Sequence, residues 1–148
     1  CRASAGACDV AEQCDGTGRA CPTDAFMAAS TVCRPAAVGP DGTTCDVAEK
    51  CSGSGAACPA DNKKPMGTVC RAALGSCDVA ETCNGTATAC PVDALQPATF
   101  ICKPAAVGNV CDQDDYCDGR RTSCPARFSP AGLSCGMNLT CNGFGRCG

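Results

Sequence analysis

Apolar positions in this chain follow neither of the periods that build regular structure. No window repeats apolar residues at helical spacing over a helix's length, and none alternates over the length of a standard strand. Residues 9–13 and 78–82 suit a single helical turn each. Short pieces ahead of a cysteine, such as Thr68-Val69, suit a very short strand. The intervening connectors hold Pro65, Pro97, Pro130, Gly67 and Gly132, all turn formers. The expectation is a chain of mostly loops and turns with very short strands.

Order appears at longer range. Residues 70–93 read CRAALGSCDVAETCNGTATACPVD, and residues 1–24 read CRASAGACDVAEQCDGTGRACPTD. Two further copies start at Cys33 and Cys102. A period of roughly thirty to forty residues is the mark of an array of small units. Each copy has four cysteines: Cys1, Cys8, Cys14, Cys21; Cys33, Cys45, Cys51, Cys58; Cys70, Cys77, Cys83, Cys90; Cys102, Cys111, Cys117, Cys124. Five residues always separate the second from the third, and six the third from the fourth. The first gap varies, at six, eleven, six and eight residues, which marks a surface loop. Cys135, Cys141 and Cys147 form a damaged fifth copy that keeps the five-residue gap, with Gly136 and Leu139 where the other copies have acids. The expected organisation is an elongated tandem array: repeats over 1–32, 33–69, 70–101 and 102–134, and a truncated terminal repeat over 135–148.

Composition explains why such units need covalent help. Aromatics make up 3% of the 148 residues, and much of the 45% apolar count is Ala and Cys. At ~25 cal/mol per Å² of buried apolar surface, small side chains cannot offset ~1–2 kcal/mol of backbone entropy per residue. Nineteen cysteines can, as a disulfide scaffold in which each bridge contributes ~2–4 kcal/mol. Disulfides at this density imply an oxidising compartment, hence an extracellular, secreted or cell-surface protein. The chain starts at Cys1 with no signal peptide, as a processed or partial product would, and holds no transmembrane run. A net charge of −3 without a basic block gives no footprint for nucleic acid. With no His there is no His-based triad and no H-E-x-x-H zinc site, so no enzyme is expected. No C-x2-C pair suggests a thiolate metal site.

The C-R, C-D-V-A-E-x-C-x-G and C-P-x-D run, clearest at Cys70-Arg71, residues 77–85 and residues 90–93, resembles the C-terminal half of the disintegrin-like domain of snake-venom and ADAM-type metalloproteinases. Both the metalloproteinase domain and the N-terminal half of the disintegrin domain are absent. The tandem arrangement resembles secreted bacterial cell-surface repeat proteins more. The resemblance would imply integrin binding through the variable loops. No loop carries R-G-D, and Asp41 is the one loop carboxylate, so an integrin partner is not expected. Asn84-Gly85-Thr86 and Asn138-Leu139-Thr140 are sequons that matter only in a glycosylating host.

Nine of the 15 acidic residues fall at fixed positions: Asp9, Glu12, Asp24; Asp46, Glu49, Asp61; Asp78, Glu81, Asp93. An Asp and a Glu three apart can face one way, and a bridge pulling the C-P segment back would add the third carboxylate. Three such groups without nearby bases repel unless a cation sits between them, and calcium takes hard oxygen ligands. The resemblance points the same way, implying structural Ca2+ at these positions, up to three per chain. Backbone oxygens of Val10 and Ala25, Val47 and Asn62, Val79 and Ala94 would join. In the fourth copy Asp112 and Asp115 remain, and Arg127 replaces the third acid. Its guanidinium is expected in the cation's place, paired with both Asp.

The resemblance also implies that the C-R cysteine pairs with the C-P cysteine, giving Cys1–Cys21, Cys33–Cys58, Cys70–Cys90 and Cys102–Cys124. The middle cysteines then have two courses. They close locally, as Cys8–Cys14, with the odd thiol among Cys135, Cys141 and Cys147. Or they link neighbours, as Cys8–Cys51, Cys45–Cys83 and Cys77–Cys117, leaving Cys14 without a partner and a C-terminal cysteine available to the next chain. The expected function is a structural and adhesive protein that assembles with itself head to tail into a fibre or filament. The alternative is a monomeric cell-surface adhesin or receptor-binding module acting through the variable loops.

Overall fold

A computed structural model describes residues Cys1–Gly148. It contains no helix and ten strands of two or three residues: β1 Asp9–Val10, β2 Ala25–Phe26, β3 Val32–Arg34, β4 Glu49–Lys50, β5 Val69–Arg71, β6 Glu81–Thr82, β7 Ile101–Lys103, β8 Asp115–Tyr116, β9 Ser134–Gly136 and β10 Leu139–Thr140. They form five two-stranded sheets: β1-β2, β3-β4, β5-β6, β7-β8 and β9-β10. The short strands ahead of the cysteines are present and run on through them. The helical turns expected over 9–13 and 78–82 are not. Their amides are bound elsewhere: Glu12 N–H donates to the Arg2 carbonyl and Val79 N–H to that of Ala94, which leaves no i→i−4 ladder.

Each of the first four copies is built from two small ladders. In one, residues around the first cysteine pair with residues just before the third: Arg2 with Glu12, Arg34 with Glu49, Lys103 with Asp115, and β5 with β6. In the other, the C-D segment pairs with residues just past C-P: Asp9 with Phe26, Asp46 with Lys63, Asp78 with Leu95 and Asp112 with Phe128. Neither ladder is long enough to stand alone in water.

Eight disulfides supply the rest. The C-R to C-P pairing forms at Cys33–Cys58, Cys70–Cys90 and Cys102–Cys124. The middle cysteines link neighbours: Cys8–Cys51, Cys45–Cys83, Cys77–Cys117 and Cys111–Cys141. Local closure as Cys8–Cys14 does not occur. Cys135 bonds Cys147, so Cys135 is the first cysteine of the fifth copy and the one missing is the second. No C-terminal thiol is left for a neighbouring chain, contrary to expectation. The unpaired thiols are Cys1, Cys14 and Cys21, so Cys1 and Cys21 are not bonded to each other.

The linking disulfides are the apolar core. All eight of their sulfur-bearing residues are buried, Cys8, Cys45, Cys77 and Cys111 completely, and no larger apolar side chain is buried with them. The chain divides into two compact units, each with four of the bridges. One comprises Cys1–Cys70 with Thr82–Pro91, the other Arg71–Glu81 with Val92–Gly148. Within each, successive copies also meet through backbone. Cys8 N–H donates to the Ala56 carbonyl and Cys45 N–H to Thr88 in the first unit, and Cys77 N–H donates to Thr122 in the second, each at 2.9 Å. Gly6 and Gly75 lie against the same Ala56 and Thr122 carbonyls, where a Cβ would overlap the oxygen. Glycine is required there by close approach, not by its backbone angles.

Candidate functional site

The second set of buried side chains is acidic: Asp9, Glu12, Asp46, Glu49, Asp78, Glu81 and Asp115. Backbone amides hold them. In the first copy Asp9 accepts Ala5 N–H at 2.6 Å on Oδ2 and Val10 N–H at 3.0 Å on Oδ1, while Glu12 Oε1 accepts Ala25 N–H at 3.0 Å. In the second, Asp46 accepts from Ala37 and Val47, and Glu49 from Asn62. In the third, Asp78 accepts from Leu74 and Val79, and Glu81 from Ala94. The variable loop and the segment after C-P each lend an amide to a buried carboxylate, which ties a loop of changeable length to a fixed frame.

Asp9, Glu12 and Asp24 come together as expected, with one oxygen of each within 4.8 Å of the others. The third acid of each copy lies nearer solvent: the side chains of Asp24, Asp61 and Asp93 are about half exposed. The residues named as backbone ligands, Val10, Ala25, Val47, Asn62, Val79 and Ala94, are at the site as N–H donors to the carboxylates.

A base stands among the acids in each of the first three copies, where none was expected. Arg2 Nη1 bonds Glu12 Oε2 at 3.3 Å and also Asp24. Arg34 bonds Glu49 at 3.1 Å and lies 3.9 Å from Asp61. Arg71 bonds Glu81 at 3.1 Å and Asp93 at 3.5 Å. In the second copy Lys63 adds bonds to Asp46 at 2.9 Å and Asp61 at 2.6 Å. The reason is register. The residue after the first cysteine is the cross-strand partner of the Glu, so the C-R arginine faces it across the ladder. The signal was legible: a base follows the first cysteine in all four copies, and an acid precedes the third cysteine by two.

These contacts move the titrations. Asp24 and then Glu12 raise the Arg2 guanidinium above its ordinary range. The Ala37 amide and then Lys63 lower Asp46, while Asp61 and Asp46 raise Lys63.

The fourth copy differs from expectation. Lys103 takes the central position, 3.4 Å from Asp112 Oδ2 and 3.5 Å from Asp115 Oδ2. Burial would lower Lys103, but Asp112 and Asp115 raise it on balance, and the Ala106 amide with Lys103 lowers Asp112. Arg127 does not pair with either Asp. Its backbone N–H donates to Asp115, and its guanidinium lies 5.6 Å from the centre of the Tyr116 ring. The aromatic face beside β8 and the prior claim of Lys103 on the carboxylates account for this. Asp112 Oδ1 is buried without a hydrogen-bond partner.

The donor chemistry of the first copy suits a hard divalent cation: three carboxylates against one guanidinium leave two negative charges. The second copy leaves one, because Lys63 joins Arg34. No family model, curated protein or solved structure matches the chain.

Proposed function

We propose that this chain is an extracellular structural and adhesive protein, an elongated array of disintegrin-like repeats held by disulfides and calcium that assembles with further copies of itself into a surface fibre. The observation that carries this reading is the recurring bridge from the second cysteine of one copy to the third cysteine of the next. A bridge of this kind passes tension from repeat to repeat through covalent bonds, which a load-bearing array needs and a catalyst does not. Calcium enters by displacing the arginine of the C-R pair, held by Asp9, Glu12 and Asp24, by Asp46, Glu49 and Asp61, and by Asp78, Glu81 and Asp93. Its role is structural: it neutralises the carboxylates of one copy, which in the first copy lie within 4.8 Å of one another.

Small-angle scattering with electron microscopy tests the reading. An array gives a radius of gyration well above the roughly 15 Å of a compact domain of this length, and fibres in buffer alone. A compact radius and lone particles at high concentration contradict it. A second reading, a monomeric adhesin, draws on the variable loops, where Val38, Leu74 and Val107 are exposed at 65%, 82% and 105%. Apolar tips of this kind suit capture of a receptor, and binding to cells by the monomer, lost in Leu74→Asp, would favour it.

A further inference from the structure

Three features recur where one copy meets the next. The third cysteine of the receiving copy, Cys51, Cys83, Cys117 or Cys141, is buried and bonded to the second cysteine of the copy before. At the first three junctions, a carbonyl five residues further on, Ala56, Thr88 or Thr122, accepts the N–H of that incoming cysteine. The receiving copy's own first cysteine has its sulfur beside the bridge, within 4.8 Å. The first copy carries the receiving half of this arrangement. Cys14 is its third cysteine, Arg19 stands five residues on, and Cys1 Sγ lies 2.9 Å from Cys14 Sγ. Its four counterparts are buried, yet Cys14 is an exposed free thiol on a loop exposed over residues 13–20.

We propose that Cys14 is a covalent docking point for a repeat unit of this same kind whose second cysteine is a free thiol. The proposal rests on the linking disulfides described above and not on fibre formation. Cys8, Cys45, Cys77 and Cys111 are already bonded, so none of these four supplies the thiol. The partner is a unit with a C-D-V-A-E segment and a small residue two positions before its thiol, as at Gly6 and Gly75, so that its backbone can reach the Arg19 carbonyl.

The chemistry requires an oxidant of the low-molecular-weight disulfide class, such as oxidised glutathione. The Cys14 thiolate attacks one glutathione sulfur, forms a mixed disulfide and releases the other glutathione as a thiolate, which takes up the proton that Cys14 lost. The incoming cysteine thiolate then attacks the Cys14 sulfur and releases the second glutathione, which takes up the second proton. One protein–protein disulfide forms and one oxidised glutathione becomes two thiols. A second equivalent closes Cys1 on Cys21, the pairing used at Cys33–Cys58.

The test uses the full chain and a synthetic peptide of residues 70–81 carrying Cys70→Ser, so that Cys77 is its one thiol. Both are held in a glutathione redox buffer, the remaining thiols are alkylated, and the bridges are mapped by mass spectrometry. The expected result is peptide on Cys14 with Cys1 bonded to Cys21. The adduct should exceed that of a scrambled peptide by about tenfold or more, because docking raises the effective concentration of the thiol. The Cys14→Ser chain should give none, and a peptide with Gly75→Val should lose the preference. Equal labelling of Cys1, Cys14 and Cys21, closure of Cys1 on Cys14, or a Cys14–Cys14 dimer that excludes the peptide overturns the proposal. Fibres without Cys14 selectivity sink this inference alone, and Cys14 selectivity without fibres sinks the fibre reading alone.

Discussion

Substituting Gly75 by alanine puts the close contact between the third and fourth copies under direct strain. A Cβ at position 75 would overlap the Thr122 oxygen and lie 3.0 Å from its carbonyl carbon. The obstacle is backbone, and it also accepts the Cys77 N–H at 2.9 Å beside the Cys77–Cys117 bridge. Overpacking costs ~1–3 kcal/mol and a lost hydrogen bond ~0.5–1.5 kcal/mol, while alanine returns ~0.4–1 kcal/mol by restricting the unfolded chain. At mid-range the net loss is about 2 kcal/mol. If the buried bridge is reached by local opening, its reduction by dithiothreitol accelerates by roughly thirtyfold. The assay follows the thiols of Cys77 and Cys117 by timed alkylation, alongside guanidinium unfolding. Gly55→Ala is the control: its nearest neighbour is Ser52 Oγ at 3.8 Å, so a change within about 0.5 kcal/mol is expected. An unchanged reduction rate in Gly75→Ala, or equal effects in both variants, would refute the argument from backbone contact.

The remaining predictions concern charge. Bound calcium, counted by equilibrium dialysis, should fall by one per chain in Asp78→Ala and stay unchanged in Asp112→Ala, and equal losses would remove the assignment. Arg71→Ala leaves the buried Glu81 without its guanidinium and should cost about 1–3 kcal/mol in chelator, with calcium restoring the loss if the ion takes the same place. Asp15, whose carboxylate accepts the Thr17 and Gly18 amides, should titrate at about 2 by NMR. Because its folded pKa is depressed, its contribution to stability is present above the unfolded value of about 3.9 and is lost as pH falls towards about 2. In Asp15→Asn that part of the acid dependence should vanish.

The cysteine spacing made the frame of the fold legible, because fixed gaps reflect fixed geometry and the variable gap reflects a loop. Spacing could not choose between Cys8–Cys14 and Cys8–Cys51, since both satisfy the same counts. The choice lies in the Cys8 amide bonding to Ala56, a contact far apart in sequence. Residues 9–13 suit a helical turn by sequence alone, but their backbone is engaged across two ladders instead. The carboxylate cluster was legible from its recurring acids. Its bases are less legible, because Arg2, Arg34 and Arg71 are distant in sequence and reach the acids only through strand register. Charge alone points Arg127 at the two Asp, but the neighbouring Tyr116 ring and the claim of Lys103 on the carboxylates decide its position. In the fifth copy the gap length matches Cys135 to a second cysteine, whereas its bond to Cys147 gives Cys135 the role of a first cysteine.

Disulfide mapping of the purified chain under non-reducing, thiol-blocked conditions tests the central claim most directly. The account predicts fragments joined through Cys8–Cys51, Cys45–Cys83, Cys77–Cys117 and Cys111–Cys141, each uniting two successive copies. Fragments that close each copy on itself, with Cys8 bonded to Cys14 and Cys45 bonded to Cys51, would contradict it.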